Sequence, residues 1–360
     1  MPLPNLQELI TALDNEFPIL EYLYITPLNN TGLILPEGFR APHLRRLILK
    51  GFAFSTVSPL LMTTVGLVNL TLGSSTDFHP HHLLTRLSLM PQLERLRIFF
   101  YPPHWTLGDD IENQPLDMPV MPHASLPNLR SFAFEGFNNF LEAFLAWINA
   151  PFLEKLEIVI FDLVNLSVAH LLQFINTTEN LRFNSARLTF SNRAVFIRTY
   201  LQGAGASSRG NSFSIEVRHS HLSQKASAAA RILNTLSPVF SVVEYLTLTL
   251  KCITYSTWPV PHESDELGAT AWRELLKPFN NVKTLFVPYY LVQRVSDSLR
   301  IYAKEPSIGL LPELLEISHS ATSLADDVFA EFIEARRIAG RPVTLSVAEH
   351  HSSDVFWEEL

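Results

Sequence analysis

Cysteine is nearly missing from this chain: Cys252 stands alone in 360 residues. One thiol cannot close an internal disulfide, and it cannot hold a zinc ion by itself. Long apolar runs are missing too. No stretch reaches the roughly 20 uninterrupted apolar residues that a membrane-spanning helix needs, so no membrane role is expected. No secretory signal is read at residues 1–10, which favours an intracellular setting, cytoplasmic or nuclear. Runs of Lys and Arg are lacking, and the net charge is −8. Affinity for nucleic acid comes mainly from neutralising phosphates, so no nucleic-acid partner is expected. Catalytic signatures are also missing: there is no H-E-x-x-H, no G-x-S-x-G and no Walker A loop. Nothing in the sequence calls for a cofactor, a metal or an enzymatic role.

What the chain has in quantity is apolar residues, at 47%. That supports a large core, yet one compact core rarely grows past roughly 250–300 residues. Either two domains or a repeat array is implied. Repeats should be sought first, because overlooking them misassigns the fold. One phrase does recur: Pro, any residue, Leu, two variable residues, an apolar residue, one variable residue, another apolar residue. It reads PILEYLYI at 18–25, PHLRRLIL at 42–49, VGLVNLTL at 65–72 and PQLERLRI at 91–98. PNLRSFAF at 127–134 and PFLEKLEI at 151–158 follow, with looser copies SVVEYLTL at 241–248 and NNVKTLFV at 280–287. PNLQEL at 4–9 reads as a partial first copy.

The anchoring leucines are Leu20, Leu44, Leu67, Leu93, Leu129 and Leu153, spaced by 24, 23, 26, 36 and 24 residues. Leucine-rich repeats have periods of about 20–29 residues. The long step contains a Pro-rich stretch, 101–125, read as an inserted loop. The period-2 stretch after each anchor predicts a strand with alternate side chains inside and outside. Helical spacing is found at 82–90, 139–150, 167–177, 192–201, 222–236, 265–277, 288–303 and 323–339. Alternating strands and helices predict parallel strands joined by right-handed crossovers. The expected fold class is therefore α/β, an irregular leucine-rich-repeat solenoid across 1–360, with a curved parallel sheet and helices on its convex side.

The phrase resembles the leucine-rich-repeat family, and its flavour is similar to the irregular repeats of fungal, basidiomycete-type F-box proteins. The likeness rests on the Pro-x-Leu openings, aromatic strand ends and the C-terminal stretches Trp272-Arg273-Glu274-Leu275-Leu276 and Phe332-Ile333-Glu334-Ala335-Arg336. The family's repeat domain implies a non-catalytic module that selects targets for ubiquitination while other subunits do the chemistry. Its usual Asn or Cys, eight residues after each anchor, is replaced here by Leu28, Phe52, Ser75, Tyr101, Phe137 and Phe161, which implies an aromatic spine. Its F-box is absent from this sequence, and Met1-Pro2-Leu3-Pro4 opens inside a repeat without a cap. Docking to a ligase adaptor is then expected only if an F-box lies upstream. Leu311-Pro312-Glu313-Leu314-Leu315 echoes an F-box opening superficially and reads better as a last strand. Alternatives are a stand-alone repeat scaffold or nonfunctional fragment, and an α/β enzyme whose site is unrecognised.

The remaining motifs favour plain readings. Gly203-Ala204-Gly205 with Gly210 follows a helical stretch and precedes a strand, the reverse of a phosphate loop. His79, His81 and His82 lead into a helix that Asp77 is placed to cap. Glu349, His350, His351 and Asp354 lack a defined ligand geometry. Cys252 reads as a buried, inert thiol. The outward strand positions carry more information. Tyr22, Tyr24, Arg46, Lys50, Arg95, Arg97 and Phe99 would share the concave face, and Tyr and Arg are enriched where interfaces bind tightly. A protein partner with an acidic surface is the expected ligand.

Overall fold

In the computed structural model, residues 6–11, 13–26, 33–74, 80–100, 123–161, 168–191, 194–201, 211–218, 222–251, 265–303, 309–320 and 325–348 are described. The chain divides into two compact units, Met1–Arg182 with Gly210–Ile215, and Phe183–Arg209 with Glu216–Leu360.

The first unit contains α1 (Leu6–Thr11), β1 (Tyr22–Ile25), β2 (Arg46–Lys50), α2 (Phe54–Thr63), β3 (Asn69–Ser74), α3 (Pro80–Leu87) and β4 (Arg95–Phe100). It continues with β5 (Ala124–Ser125), β6 (Ser131–Gly136), α4 (Asn138–Leu145), β7 (Ile148–Asn149), β8 (Lys155–Ile160) and α5 (Ala169–Thr177). The second unit has β9 (Ser185–Ser191), β10 (Ala194–Tyr200), β11 (Ser212–Arg218, whose first residues belong to the first unit), α6 (Leu222–Thr235), α7 (Ser237–Phe240) and β12 (Tyr245–Lys251). Then come α8 (Asp265–Leu276), β13 (Thr284–Val287), a 3₁₀ turn at Tyr289–Leu291, α9 (Val292–Ala303), β14 (Glu316–Ser320), α10 (Ala325–Ile338) and β15 (Thr344–Ala348). In the first unit the strands hydrogen-bond in the order β1-β2-β3-β4-β6-β8, all parallel, and in the second in the order β10-β9-β12-β13-β14-β15, parallel except β10 on β9. A mostly parallel sheet with helices is thus the architecture.

The Pro-x-Leu phrase has a backbone explanation. The amide of each anchor closes a tight turn on the carbonyl three residues earlier: Leu44 on Ala41 at 3.1 Å, Leu93 on Met90 at 3.1 Å, Leu129 on Leu126 at 3.1 Å, and Leu153 on Ala150 at 3.2 Å. Proline then occupies the second turn position, where its fixed φ is already correct and its missing N–H costs nothing. The anchor enters the core; Leu44, Leu67, Leu93, Leu129 and Leu153 are all fully buried. Leu314 closes the same turn on Leu311, so PELLEISH at 312–319 is a further copy, with His319 in a place usually held by an aliphatic residue, and its strand β14 is not the last, since β15 follows.

The residue after each anchor ties neighbouring strands together. The Glu21 carbonyl accepts from the amides of both Arg45 and Arg46. Arg45 does the same for Val68 and Asn69, Val68 for Glu94 and Arg95, Glu94 for Arg130 and Ser131, and Arg130 for Glu154 and Lys155. Inside the second unit Asn184 serves Glu244 and Tyr245, Glu244 serves Lys283 and Thr284, and Lys283 serves Leu315 and Glu316. Each carbonyl thereby uses both lone pairs.

Alternation does the rest. Leu47, Leu49, Leu70, Leu72, Leu96, Ile98, Phe132, Phe134, Leu156 and Ile158 point inward and are buried. Helices cover that side: the Phe132 ring stacks on Phe144 of α4 at 5.7 Å, and in the second unit Phe190 meets Trp272 of α8 at 4.9 Å. The expected aromatic spine is present in part. Phe52 is buried and Phe137 meets Phe161 edge-on at 6.2 Å; Leu28, Ser75 and Tyr101 lie outside the described residues.

Two readings of the sequence need correction, and one helix was not foreseen. The helix expected over 192–201 is not formed at 194–200: Ala194–Tyr200 is β10, antiparallel to β9. Val195, Ile197 and Thr199 are buried at alternate positions, a strand pattern that outweighs the helical spacing of Phe196 and Tyr200. PNLQEL is not a repeat copy, because Leu6–Thr11 is helical and buries Ile10. Phe54–Thr63 is a helix despite Pro59 in its interior, which forgoes one backbone bond. The stretch 101–125 falls mostly outside the described residues; its end, Ala124–Ser125, pairs in parallel with Ile148–Asn149.

Candidate protein-binding face

The outward side chains of β1, β2, β3, β4, β6 and β8 fall into rows, because parallel pairing puts equivalent positions side by side. One row runs Tyr22, Arg46, Asn69, Arg95, Ser131, Lys155. The next runs Tyr24, Ile48, Thr71, Arg97, Ala133, Glu157. A third runs Lys50, Gly73, Phe99, Glu135, Val159. All seven residues singled out from the sequence therefore lie on one face of the first unit. Tyr22 and Tyr24 are 52% and 56% exposed, high for tyrosines, while Arg46, Arg95 and Arg97 are exposed and Lys50 and Phe99 half-buried.

The cations on this face divide into two sets. Arg97 reaches across Ala133 to Glu157 at 3.4 Å, and Lys155 meets the same carboxylate at 2.7 Å. Burial alone would raise the Glu157 carboxyl, but the hydrogen bonds and charges of Lys155 and Arg97 outweigh it and hold it below the ordinary carboxylate range. Arg46, Lys50 and Arg95 have no carboxylate partner among the described residues. Arg46 Nε lies 3.3 Å from the Asn69 side-chain amide, placed to donate to its oxygen. The Lys50 ammonium sits 5.1 Å from the centre of the Phe99 ring, and the Arg97 guanidinium 5.9 Å from it. Gly73 lies between Lys50 and Phe99 in the register, so no side chain stands between them. The sequence did not reveal these cross-strand contacts, since Arg97 and Glu157 are 60 positions apart.

The outward face of the second unit differs in chemistry. It presents Thr189, Thr247, Thr249, Thr284, Ser318 and Ser346, with Thr189 bonded to Thr249 at 2.7 Å and Ser346 donating to Glu316 at 2.5 Å. The same rows also carry Arg187, 5.9 Å from the Tyr200 ring, with Arg198, Lys251 and Glu316, so hydroxyls and charges are mixed on this face.

A groove of about 410 Å³ lies elsewhere on the first unit, lined by His123, Ser125, Asn149, His170, Gln173 and Thr177 among others. His123 packs on Trp147 at 4.9 Å. Nearby Glu142 of α4 accepts from the amides of His170 and Leu171, at 2.9 and 3.0 Å. Those are orphan donors of the first turn of α5, and Val168 at the cap position supplies no acceptor. Burial lifts the Glu142 carboxyl above its ordinary value, and the two amide bonds only partly pull it back. The arrangement is a helix cap supplied by a neighbouring helix.

Of the weaker motifs, His82 is exposed on α3, whereas Asp77, His79, Gly203, Gly205, Gly210, Cys252, Glu349, His350, His351 and Asp354 lie outside the described residues. Among the described residues no group of three or more His, Cys, Asp or Glu is placed to hold a metal ion. No described helix is long and apolar enough to cross a membrane.

No protein-family model matches the chain, and no curated protein matches it. Among solved structures, a crystal structure of a Bacteroides fragilis protein is similar at 11% identity over 85% of this chain, with a TM-score of 0.24. The match spans 66% of that protein's own length. A likeness this distant carries no argument about fold or function.

Proposed function

We propose that this chain is a non-catalytic protein-binding module of the irregular leucine-rich-repeat kind, and that its first unit binds through the outward face of β1–β4. The reading rests on one observation: Tyr22, Tyr24, Arg46, Arg95, Arg97 and Phe99 stand in adjacent register rows on a single face. Aromatic and arginine side chains held on rigid strands lose little freedom on binding, which is why they dominate tight interfaces. Three cations there without carboxylate partners among the described residues favour an acidic surface on the partner.

Within that reading, the resemblance to fungal F-box repeat domains supplies the role. The chain selects protein targets for ubiquitination in the cytoplasm or nucleus, and it meets a ligase adaptor only where an F-box precedes this segment.

Affinity capture with quantitative mass spectrometry tests the face. The wild-type chain is compared with the triple variant Arg46→Glu, Arg95→Glu, Arg97→Glu and with a control that reverses Lys277, just after α8, Arg300 of α9 and Arg337 of α10. Selective loss of partners from the first variant supports the proposal. Equal recovery by all three chains sinks it.

A further inference from the structure

The three strands at the centre of this face form a trough, and its shape and charge define what lies in it. The floor is β3, whose outward residues are Asn69, Thr71 and Gly73, all small. One wall is Arg46, Ile48 and Lys50 of β2; the other is Arg95, Arg97 and Phe99 of β4. The wall strands are two strand spacings apart, about 9.6 Å. Lys50 crosses over Gly73 to the Phe99 ring and closes one end.

We propose that this trough binds an extended acidic peptide segment of a partner protein, lying along β3. The proposal rests on the reading of this face as the binding surface and adds the ligand's conformation and charge pattern. Width argues for an extended chain, because an α-helix with its side chains is about 10–12 Å across and cannot reach the floor between the walls. Spacing argues the same way. Arg95 and Arg97 are two residues apart on an extended strand, so they repeat at about 6.6 Å, the interval between same-side side chains of an extended ligand. Alternate carboxylates of the ligand meet Arg95 and Arg97. On the opposite wall Arg46 and Lys50 flank Ile48, which selects an apolar side chain between two acidic ones. Arg97 already shares Glu157, but its guanidinium is exposed and carries five donors, so it serves a second carboxylate.

Fluorescence anisotropy with synthetic peptides tests this. The probe is a labelled peptide of alternating Asp and Glu with one central Leu. Comparators are a peptide of the same composition stapled as a helix, a phosphoserine peptide lacking Asp and Glu, and a single-stranded oligonucleotide. The full chain should bind the extended acidic peptide best, and more weakly as salt rises. Lys50→Glu and Arg95→Glu should each weaken it by about ten-fold or more, as loss of a close charge pair does. Thr71→Trp fills the floor and leaves every cation in place; it should cause a similar loss while circular dichroism stays unchanged. Should Thr71→Trp unfold the chain, Thr71→Gln gives the same readout with a smaller residue. Unchanged affinity in the floor variant, or a preference for the helix, the phosphopeptide or the oligonucleotide, overturns the trough. If partner capture still depends on Arg46, Arg95 and Arg97 in that case, the face survives and only the extended acidic ligand is lost. If neither depends on them, both readings fall.

Discussion

Two glutamates in the first unit show how position decides the meaning of one side chain. Glu142 caps α5 from outside, and burial raises its carboxyl. As pH rises through the ordinary carboxylate range, the unfolded chain gives up this proton first. Stability therefore falls over that interval and levels off once the folded carboxyl has also ionised. Glu157 has the opposite sign. Lys155 and Arg97 hold it low, so its contribution is complete above the ordinary range and is lost as pH falls through the folded value. Urea midpoints measured across acidic pH should show Glu142→Gln removing a falling component and Glu157→Gln removing a rising one. Glu142→Ala, which strips the acceptor from two helix-terminal amides, should cost about 1–2 kcal/mol at neutral pH. A loss below a few tenths of that would mean the amides find another acceptor. Neither role was readable in full, because Glu142 caps amides 28 and 29 residues away and Glu157 meets Arg97 60 residues away; only Lys155, two residues from Glu157 on the same strand face, is local.

At the scale of elements, the repeated phrase was legible because it is written twice over. Proline presets the turn, and the period-2 apolar positions then fix which way every strand side chain points. That is why the seven face residues were found from spacing alone. Where one of those signals was weak, the reading failed. Residues 194–200 carry both strand alternation and a helical Phe196–Tyr200 interval, and only pairing with β9 decides between them. The copy at 312–319 hid behind His319, and α2 behind Pro59. The turn prolines make a testable contribution of their own. Pro91 sits in an exposed turn that Leu93 closes on Met90, so Pro91→Ala should cost about 0.4–1 kcal/mol, through the freer unfolded chain rather than any lost contact. Thermal melts of Pro91→Ala and Pro127→Ala check it; an unchanged midpoint in both would mean the turn forms equally well without proline.

At the scale of the molecule, the chain has two cores, each with its own aromatic centre. Phe132 on Phe144 serves the first unit, and Phe190 on Trp272 serves the second. Phe132→Ala and Trp272→Ala should each cost about 3–5 kcal/mol, as large cavities do. Hydrogen exchange should show Phe132→Ala opening β4, β6 and β8 most, and Trp272→Ala opening β9 and β12 most. Uniform loss of protection in either variant would refute separate cores. The whole-chain organisation was only half legible: repeats were plain in the sequence, but no composition shift marks the division into units. The carbonyl rungs carry a consequence for descent. Glu21, Arg45, Val68, Glu94, Arg130, Asn184, Glu244 and Lys283 perform one task with their backbones, and their side chains range over both signs of charge, a neutral amide and an apolar valine. Mutation at these positions is thus nearly silent for folding. A lineage can rewrite the charge bordering this outward strand face one substitution at a time without first becoming less stable.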